Sequence, residues 1–120
     1  MMNIALDEKT AILSIKPNGA LKAEDFLQLT ALVDPFIKQQ GRLKGILIET
    51  PKFPGWENIS AFKAHIRFIK DHQAKIQKIA LVTDSVFADI LPKFAGPFVA
   101  PQIKHFPAGQ VDLAKQWIEQ

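Results

Sequence analysis

Short apolar strand patterns alternate with helical patterns along most of this chain, and their spacing is regular. Three strand patterns begin near Ala11, Lys44 and Gln77, which lie 33 residues apart, the length of one strand–helix unit. Alternation of this kind predicts parallel strands joined by right-handed crossovers. We therefore expect an α/β domain with a mixed, mostly parallel sheet.

The predicted sheet has about five strands. The polar stretch Asp7–Thr10 between the first two indicates a hairpin turn, so the first strand is expected to pair antiparallel with the second. The predicted strands cover Ile4–Leu6, Ala11–Ile15, Leu43–Ile48, Ile79–Val82 and Gln102–Phe106.

About four helices are predicted to pack on this sheet. In the first of them Pro35 predicts a kink or a broken turn near Asp34, and Gly41 is the expected end. The predicted helices are Ala23–Gln40, Asn58–Asp71, a short one from Val86 to Phe94, and a last one from Val111 to Ile118. A chain of 120 residues is expected to form one domain over residues 1–120.

Composition excludes several classes of function. Without cysteine there is no disulfide framework, thiolate metal site or cysteine nucleophile. His65, His72 and His105 do not follow zinc-ligand spacing, and the six glycines form no phosphate-binding loop. A net charge of +3 is too small and dispersed to favour nucleic acid. We expect no metal, no cofactor and, because no signal peptide or spanning segment is evident, a cytoplasmic protein.

The loop Thr50–Glu57 is the most informative local segment for function. It follows the third predicted strand, at the carboxyl edge of the sheet, where open α/β folds bind ligands. Phe53 and Trp56 are predicted either to form a lid over an apolar pocket or to staple the start of the next helix. Pro54 and Gly55 between them suggest a hinge that lets this helix swing.

The helix Asn58–Asp71 has three distinct faces on a helical wheel. The first is apolar and is the expected core face: Ile59, Phe62, Ile66 and Ile69. Beside it runs a narrow basic stripe: Lys63, Arg67 and Lys70. The third face is again apolar: Ala61, Ala64 and Phe68. We interpret the stripe and the third face as a membrane or partner surface, and the alternative is that Phe68 is covered by the chain itself.

Aromatic residues of the later segment complete a predicted ligand site. Phe94 and Phe98 flank a stretch broken by glycine and proline, and they are expected either to line a cavity or to pack in the core. The predicted ligand-binding residues are Phe53, Trp56, Phe62, Ile66, Phe87, Phe94 and Phe98.

Two carboxylates stand at the carboxyl ends of neighbouring predicted strands. Glu49 and Asp84 could act as a general acid and base if they shared a site. No second catalytic element accompanies them, and Asp84 is well placed to cap a helix that begins near Ser85. No catalytic residue is therefore predicted.

Four sequence segments, in their order and spacing, resemble the SpoIIAA-like branch of the STAS fold: Phe53–Trp56, Phe68–His72, Ile76–Asp84 and Ala114–Ile118. The resemblance implies a small cytoplasmic domain of bacterial type, without a known enzymatic reaction, related to the CRAL-TRIO lipid-binding fold. Typical STAS switch proteins carry a phosphorylatable serine just after the third strand. Here Glu49–Phe53 occupies that place, and the next serine, Ser60, belongs more plausibly to the start of a helix.

Two functions follow from these observations. The first is a non-enzymatic binding module for an apolar or lipid-like small molecule, with peripheral contact to an anionic membrane surface through the basic stripe. The alternative is a regulatory protein-interaction domain of STAS type, similar to an anti-sigma antagonist but without its usual serine. A homodimer through the face of Ala61, Ala64 and Phe68 would explain the helical wheel without any further function.

Overall fold

The computed structural model describes residues 2–84 and 100–120. Its strands are β1 (Met2–Asp7), β2 (Ile12–Pro17), β3 (Leu43–Glu49), β4 (Ile76–Val82) and β5 (Gln102–Phe106). Its α-helices in these ranges are α1 (Ala23–Gln40), α2 (Ile59–His72) and α3 (Val111–Glu119). The predicted helix from Val86 to Phe94 lies outside the described residues.

The five strands form one sheet in the order β1-β2-β3-β4-β5. Strand β1 pairs antiparallel with β2, and each later strand pairs parallel with the one before it. The predicted mixed, mostly parallel α/β sheet is therefore confirmed. All four parallel strands point their carboxyl ends to the same edge, and the loop after β3 starts at that edge.

A local hydrogen-bond pattern makes the hairpin turn between β1 and β2. The Asp7 carboxylate accepts hydrogen bonds from the backbone N–H groups of Lys9 (3.0 Å) and Thr10 (3.3 Å). These two donors hold the pKa of Asp7 below its ordinary value. Ala11 closes the turn with a φ of 59°. The polar stretch Asp7–Thr10 is thus a hairpin turn that the Asp7 side chain stabilises.

Helix α1 runs without interruption from Ala23 to Gln40, so the broken turn expected near Asp34 is not found. Pro35 lacks the N–H that would bond to the carbonyl of Ala31, but both residues are exposed and water can solvate that carbonyl. Gly41 ends the helix with a φ of 89°, and its N–H donates to the Ile37 carbonyl (2.7 Å), as predicted.

The sheet is covered on both faces, because successive side chains of a strand point to opposite sides. On one face α1 and α2 cover a core that includes Leu13, Ile15, Phe26, Leu29, Val33, Phe36, Ile46 and Phe68. On the other face α3 covers a smaller core of Ile12, Leu47, Ala80, Val82, Phe106, Ala114 and Ile118.

Two lysines fasten the end of α3 to the sheet. The ammonium group of Lys44 donates to the Glu119 carbonyl (2.8 Å), and that of Lys78 donates to the Trp117 carbonyl (2.8 Å). Lys78 also lies over the Trp117 ring, 5.1 Å from its centre. These cations satisfy carbonyls that a helix end leaves without partners and complement its partial negative charge.

Helix α2 packs against α1 through the side opposite to the one predicted. Ala61, Phe68 and His72 are buried, whereas Ile59 is 73% exposed. The expectation that Ala61, Ala64 and Phe68 face a membrane or partner is therefore wrong. The small side chain of Ala61 allows close packing, and the Phe68 ring lies 6.2 Å from that of Phe26 in α1.

The buried His72 ties the end of α2 to α1. Its Nδ1 lies 2.7 Å from the Phe68 carbonyl oxygen, and its Nε2 lies 2.7 Å from a carboxylate oxygen of Asp34. The ring also stacks on Phe68 at 4.2 Å. A buried polar ring needs such partners, and on the face turned toward α1 the Asp34 carboxylate supplies one of them. This requirement helps to explain which apolar face of α2 is buried.

Candidate functional site

The loop after β3 is bound on both sides to its neighbours. The N–H of Leu21, in the loop after β2, donates to the Gly55 carbonyl (2.8 Å), and the N–H of Glu57 donates to the Leu21 carbonyl (2.8 Å). At the other side the Thr83 hydroxyl donates to the Pro51 carbonyl (3.1 Å). Gly55 has a φ of 78°, which favours glycine at this position. The loop therefore presents its aromatic residues from an anchored backbone.

Phe53, Trp56 and Phe62 form a row of rings that extends from this loop onto α2. The Phe53 and Trp56 ring centres lie 4.9 Å apart with planes at 70°, and those of Trp56 and Phe62 lie 4.8 Å apart with planes at 84°. Both pairs are edge-to-face, the arrangement that the ring quadrupoles favour. Trp56 thus contacts the first turns of α2, as the staple interpretation predicts.

Five large apolar side chains on this loop and helix remain 38–73% exposed: Phe53, Trp56, Ile59, Phe62 and Ile66. We call this set the aromatic surface. Scattered exposed apolar residues are common in folded proteins, but a group of this size on one loop and one helix is a candidate interaction site. Four of the predicted ligand residues, Phe53, Trp56, Phe62 and Ile66, belong to it.

Phe87, Phe94 and Phe98, the other predicted ligand residues, lie outside the described residues.

The predicted basic stripe lies on the exposed side of α2, next to the aromatic surface. Lys63, Arg67 and Lys70 are all exposed. Arg67 approaches Asp71 only to 4.0 Å, and its side chain remains 85% exposed, so this pair is too weak to neutralise the stripe. One side of the helix therefore combines apolar side chains with adjacent positive charge, the pattern of an interfacial helix.

His65 links the aromatic surface to the core. The indole Nε1–H of Trp56 donates to Nδ1 of His65 (3.0 Å). The His65 ring stacks on Phe26 of α1, with centres 4.8 Å apart and planes at 16°. Burial lowers the pKa of His65 below its ordinary value of 6.5. The sequence placed His65 beside an apolar face, but only the packing of α2 on α1 reveals its partners.

Two surface clefts lie apart from the aromatic surface. One of about 470 Å³ opens near the amino ends of the strands and is lined by Lys9, Arg42 and Lys44, among others. The other, of about 250 Å³, lies between the outer strands and α3, beside Ala5 and Val111. Neither is lined by a predicted ligand residue.

The two predicted carboxylates have separate surroundings. A carboxylate oxygen of Asp84 accepts from the backbone N–H of Ala108 (3.1 Å), in the loop before α3. Glu49 lines the smaller cleft. Among the described residues no group of three or more histidine or carboxylate side chains is placed to hold a metal ion.

None of the helices in residues 2–84 and 100–120 is long and apolar enough to cross a membrane.

Comparison with protein-family profiles identifies the family. The profile of the SpoIIAA-like family matches residues 12–119. The chain belongs to the SpoIIAA-like family. No curated protein shows significant sequence similarity to it.

One similar solved structure is an uncharacterized protein of the DUF3478 family from Shewanella loihica PV-4, described as having a SpoIIAA-like fold. It shares 18% sequence identity with a TM-score of 0.71, and the match covers 98% of this chain and 92% of that one. At this identity the likeness concerns the fold alone. The resemblance to the SpoIIAA-like fold, inferred from the four sequence segments, is confirmed.

Proposed function

We propose that this SpoIIAA-like domain is a non-enzymatic lipid-binding module that attaches peripherally to anionic membranes through its aromatic surface. One observation carries the proposal: five large apolar side chains are exposed together beside three exposed cations, on one loop and one helix. An anionic bilayer offers apolar burial and negative charge at the same boundary, and so it matches both parts of this surface.

The expected energetics favour reversible attachment. Full burial of a large apolar side chain is worth roughly 1.5–3 kcal/mol, and partial insertion gives less. Each lysine or arginine near an anionic surface adds about 1 kcal/mol. Ordering of the protein at the surface offsets part of this gain. Binding should therefore depend on both the aromatic surface and the stripe of Lys63, Arg67 and Lys70.

Trp56 has a specific place in this proposal. Tryptophan concentrates at membrane interfaces because its ring is apolar while its N–H needs a polar partner. The anchored backbone of Gly55 and Glu57 presents the indole with 38% of Trp56 exposed. A rigid presentation lowers the entropy cost of binding. Trp56 would thus lie at the headgroup level, with Ile59 and Phe62 beside it.

Vesicle co-sedimentation tests the proposal. The protein should pellet with vesicles that contain an anionic phospholipid and much less with purely zwitterionic vesicles. Phe62→Ser should weaken the pelleting because it removes an apolar group from the centre of the surface. Leu113→Ser is the matched control, since Leu113 is 51% exposed but lies on α3, on the other face of the sheet. Equal pelleting of the two variants, or none with either lipid, would refute the proposal.

A regulatory protein-interaction role of STAS type would use the same exposed side chains. The hydroxyl that follows β3 here belongs to Thr50, and it donates to the Lys52 carbonyl (2.7 Å). If the surface serves a protein partner or a second copy of the chain, Phe62→Ser should abolish that association without any vesicle binding by the parent protein. Analytical ultracentrifugation would reveal the second copy as a concentration-dependent dimer.

A further inference from the structure

The hydrogen bond between Trp56 and His65 fixes the protonation state of the histidine. An indole N–H can only donate, so Nδ1 of His65, 3.0 Å away, must accept with its lone pair. The imidazole is therefore neutral and carries its proton on Nε2. Protonation of Nδ1 would point one N–H group at another and remove this bond.

The packing around His65 disfavours its charged form. One face of the ring lies on Phe26, with centres 4.8 Å apart. The residues three and four positions away on α2, which share its side of the helix, are Ala61, Phe62, Phe68 and Ile69. None of them carries a charge that could stabilise an imidazolium.

Charged groups on the neighbouring elements are bound elsewhere or point to solvent. In the first turn of α1, Asp25 accepts from the backbone N–H of Lys22 (2.8 Å), and Glu24 is exposed. In the loop after β3, Lys52 and Glu57 are exposed. On α2 itself the nearest charges are those of the basic stripe. In the described ranges none of these groups is hydrogen-bonded or ion-paired to His65.

We propose that His65 is a pH-sensitive latch on Trp56, which holds the indole in the neutral protein and releases it on acidification. Release frees the indole N–H for a headgroup and adds a positive charge beside the aromatic surface. Both changes favour an anionic bilayer, so vesicle binding should tighten at mildly acidic pH. This membrane effect depends on the proposed function, whereas the coupling between the two side chains does not.

Nitrogen NMR of the free protein tests the coupling directly. Above neutral pH, His65 should be the tautomer protonated on Nε2, and the Trp56 indole N–H should show a hydrogen-bonded shift. As His65 titrates, the Trp56 signal should move with the same midpoint. Trp117→Phe assigns the two indole signals. A His65 tautomer protonated on Nδ1, or a Trp56 signal that ignores the titration of His65, would overturn the latch.

Two variants separate the latch from other titrating groups. His65→Phe keeps a ring against Phe26 but removes the acceptor, so the Trp56 indole should be free at every pH. Trp56→Phe removes the donor, so His65 should titrate at higher pH than in the parent protein. A pH-independent, free indole in His65→Phe together with a higher His65 midpoint in Trp56→Phe supports the latch; an unchanged Trp56 signal in His65→Phe, or an unchanged His65 midpoint in Trp56→Phe, contradicts it.

Vesicle binding then distinguishes the two proposals. With anionic vesicles the parent protein should bind about fivefold more tightly below the histidine range than above it, the effect of one added charge near the surface. His65→Phe should lose most of this difference. Coupling by NMR without vesicle binding at either pH would support the latch and refute the membrane function. Binding that is equal at both pH values, with no coupling by NMR, would refute the latch alone.

Discussion

At the scale of single residues, Gly45 sets how closely α3 approaches the sheet. A methyl group built on Gly45 would overlap the side chain of Ile118, which is fully buried. We predict that Gly45→Ala lowers the free energy of unfolding by about 1–3 kcal/mol, the usual cost of overpacking a core. Urea unfolding followed by circular dichroism measures this loss.

A second substitution isolates the cause of this loss. Ile118→Ala creates space beside Gly45, so Gly45→Ala should cost less in that background than in the parent chain. An unchanged urea midpoint for Gly45→Ala, or the same cost in both backgrounds, would contradict the overlap.

His65 makes stability depend on pH. Because burial lowers its pKa in the folded protein, the unfolded chain binds this proton more readily. The stability that neutral His65 contributes is complete above its ordinary pKa of 6.5 and is lost as the pH falls through the lower, folded value. Urea unfolding at neutral and mildly acidic pH should show this loss, and it should shrink in His65→Phe. An equal loss in the variant would refute this assignment.

The sequence predicts the partners of some residues but not of others. The stop at Gly41 and the turn at Asp7 follow from local chemistry, because the partner groups lie within four residues. The partners of His65 are Trp56, nine residues away, and Phe26, which only the packing of α1 brings near. No local rule could assign this histidine.

At the scale of elements, α2 shows what a helical wheel can and cannot predict. The wheel revealed two apolar faces, but it favoured the one with the larger side chains as the core face. The face turned toward α1 instead contains Ala61 and the two histidines that contact α1, while Ile59, Phe62 and Ile66 are exposed. Close packing and the partners of polar groups favour the observed orientation, which the wheel alone did not predict.

The basic stripe gives a prediction for the whole of α2. Changing Lys63, Arg67 and Lys70 together to Gln should weaken binding to anionic vesicles by roughly 1 kcal/mol per residue, since each loses its attraction to the surface. Added salt should reduce the difference from the parent protein. Vesicle co-sedimentation across a salt series provides the measurement.

The control for this triple variant loses the same three positive charges at exposed lysines outside the basic stripe. It replaces Lys9, Lys38 and Lys75 with Gln. An equal loss of binding in the two triple variants would show that net charge, and not the position of the stripe, controls the interaction.

At the scale of the whole molecule, strand direction was predictable, because strand–helix alternation implies parallel pairing and a tight turn implies an antiparallel pair. The strand Gln102–Phe106 was predicted with the bounds that the structure shows. The sequence did not predict whether the ligand site is a pocket or an exposed surface. A row of rings at Phe53, Trp56 and Phe62 forms either a pocket wall or an outer surface, depending on which side of α2 meets the core.

The depth of Trp56 in a bilayer shows whether the aromatic surface contacts the membrane. In a Trp117→Phe protein, Trp56 is the single tryptophan, and its fluorescence can be quenched by lipids brominated along their chains. We predict strong quenching in anionic vesicles, greatest for bromines near the headgroup, with a blue shift of the emission. Trp56 emission that is unchanged while the protein sediments with these vesicles would show that another surface makes the contact, and would contradict a membrane role for the aromatic surface.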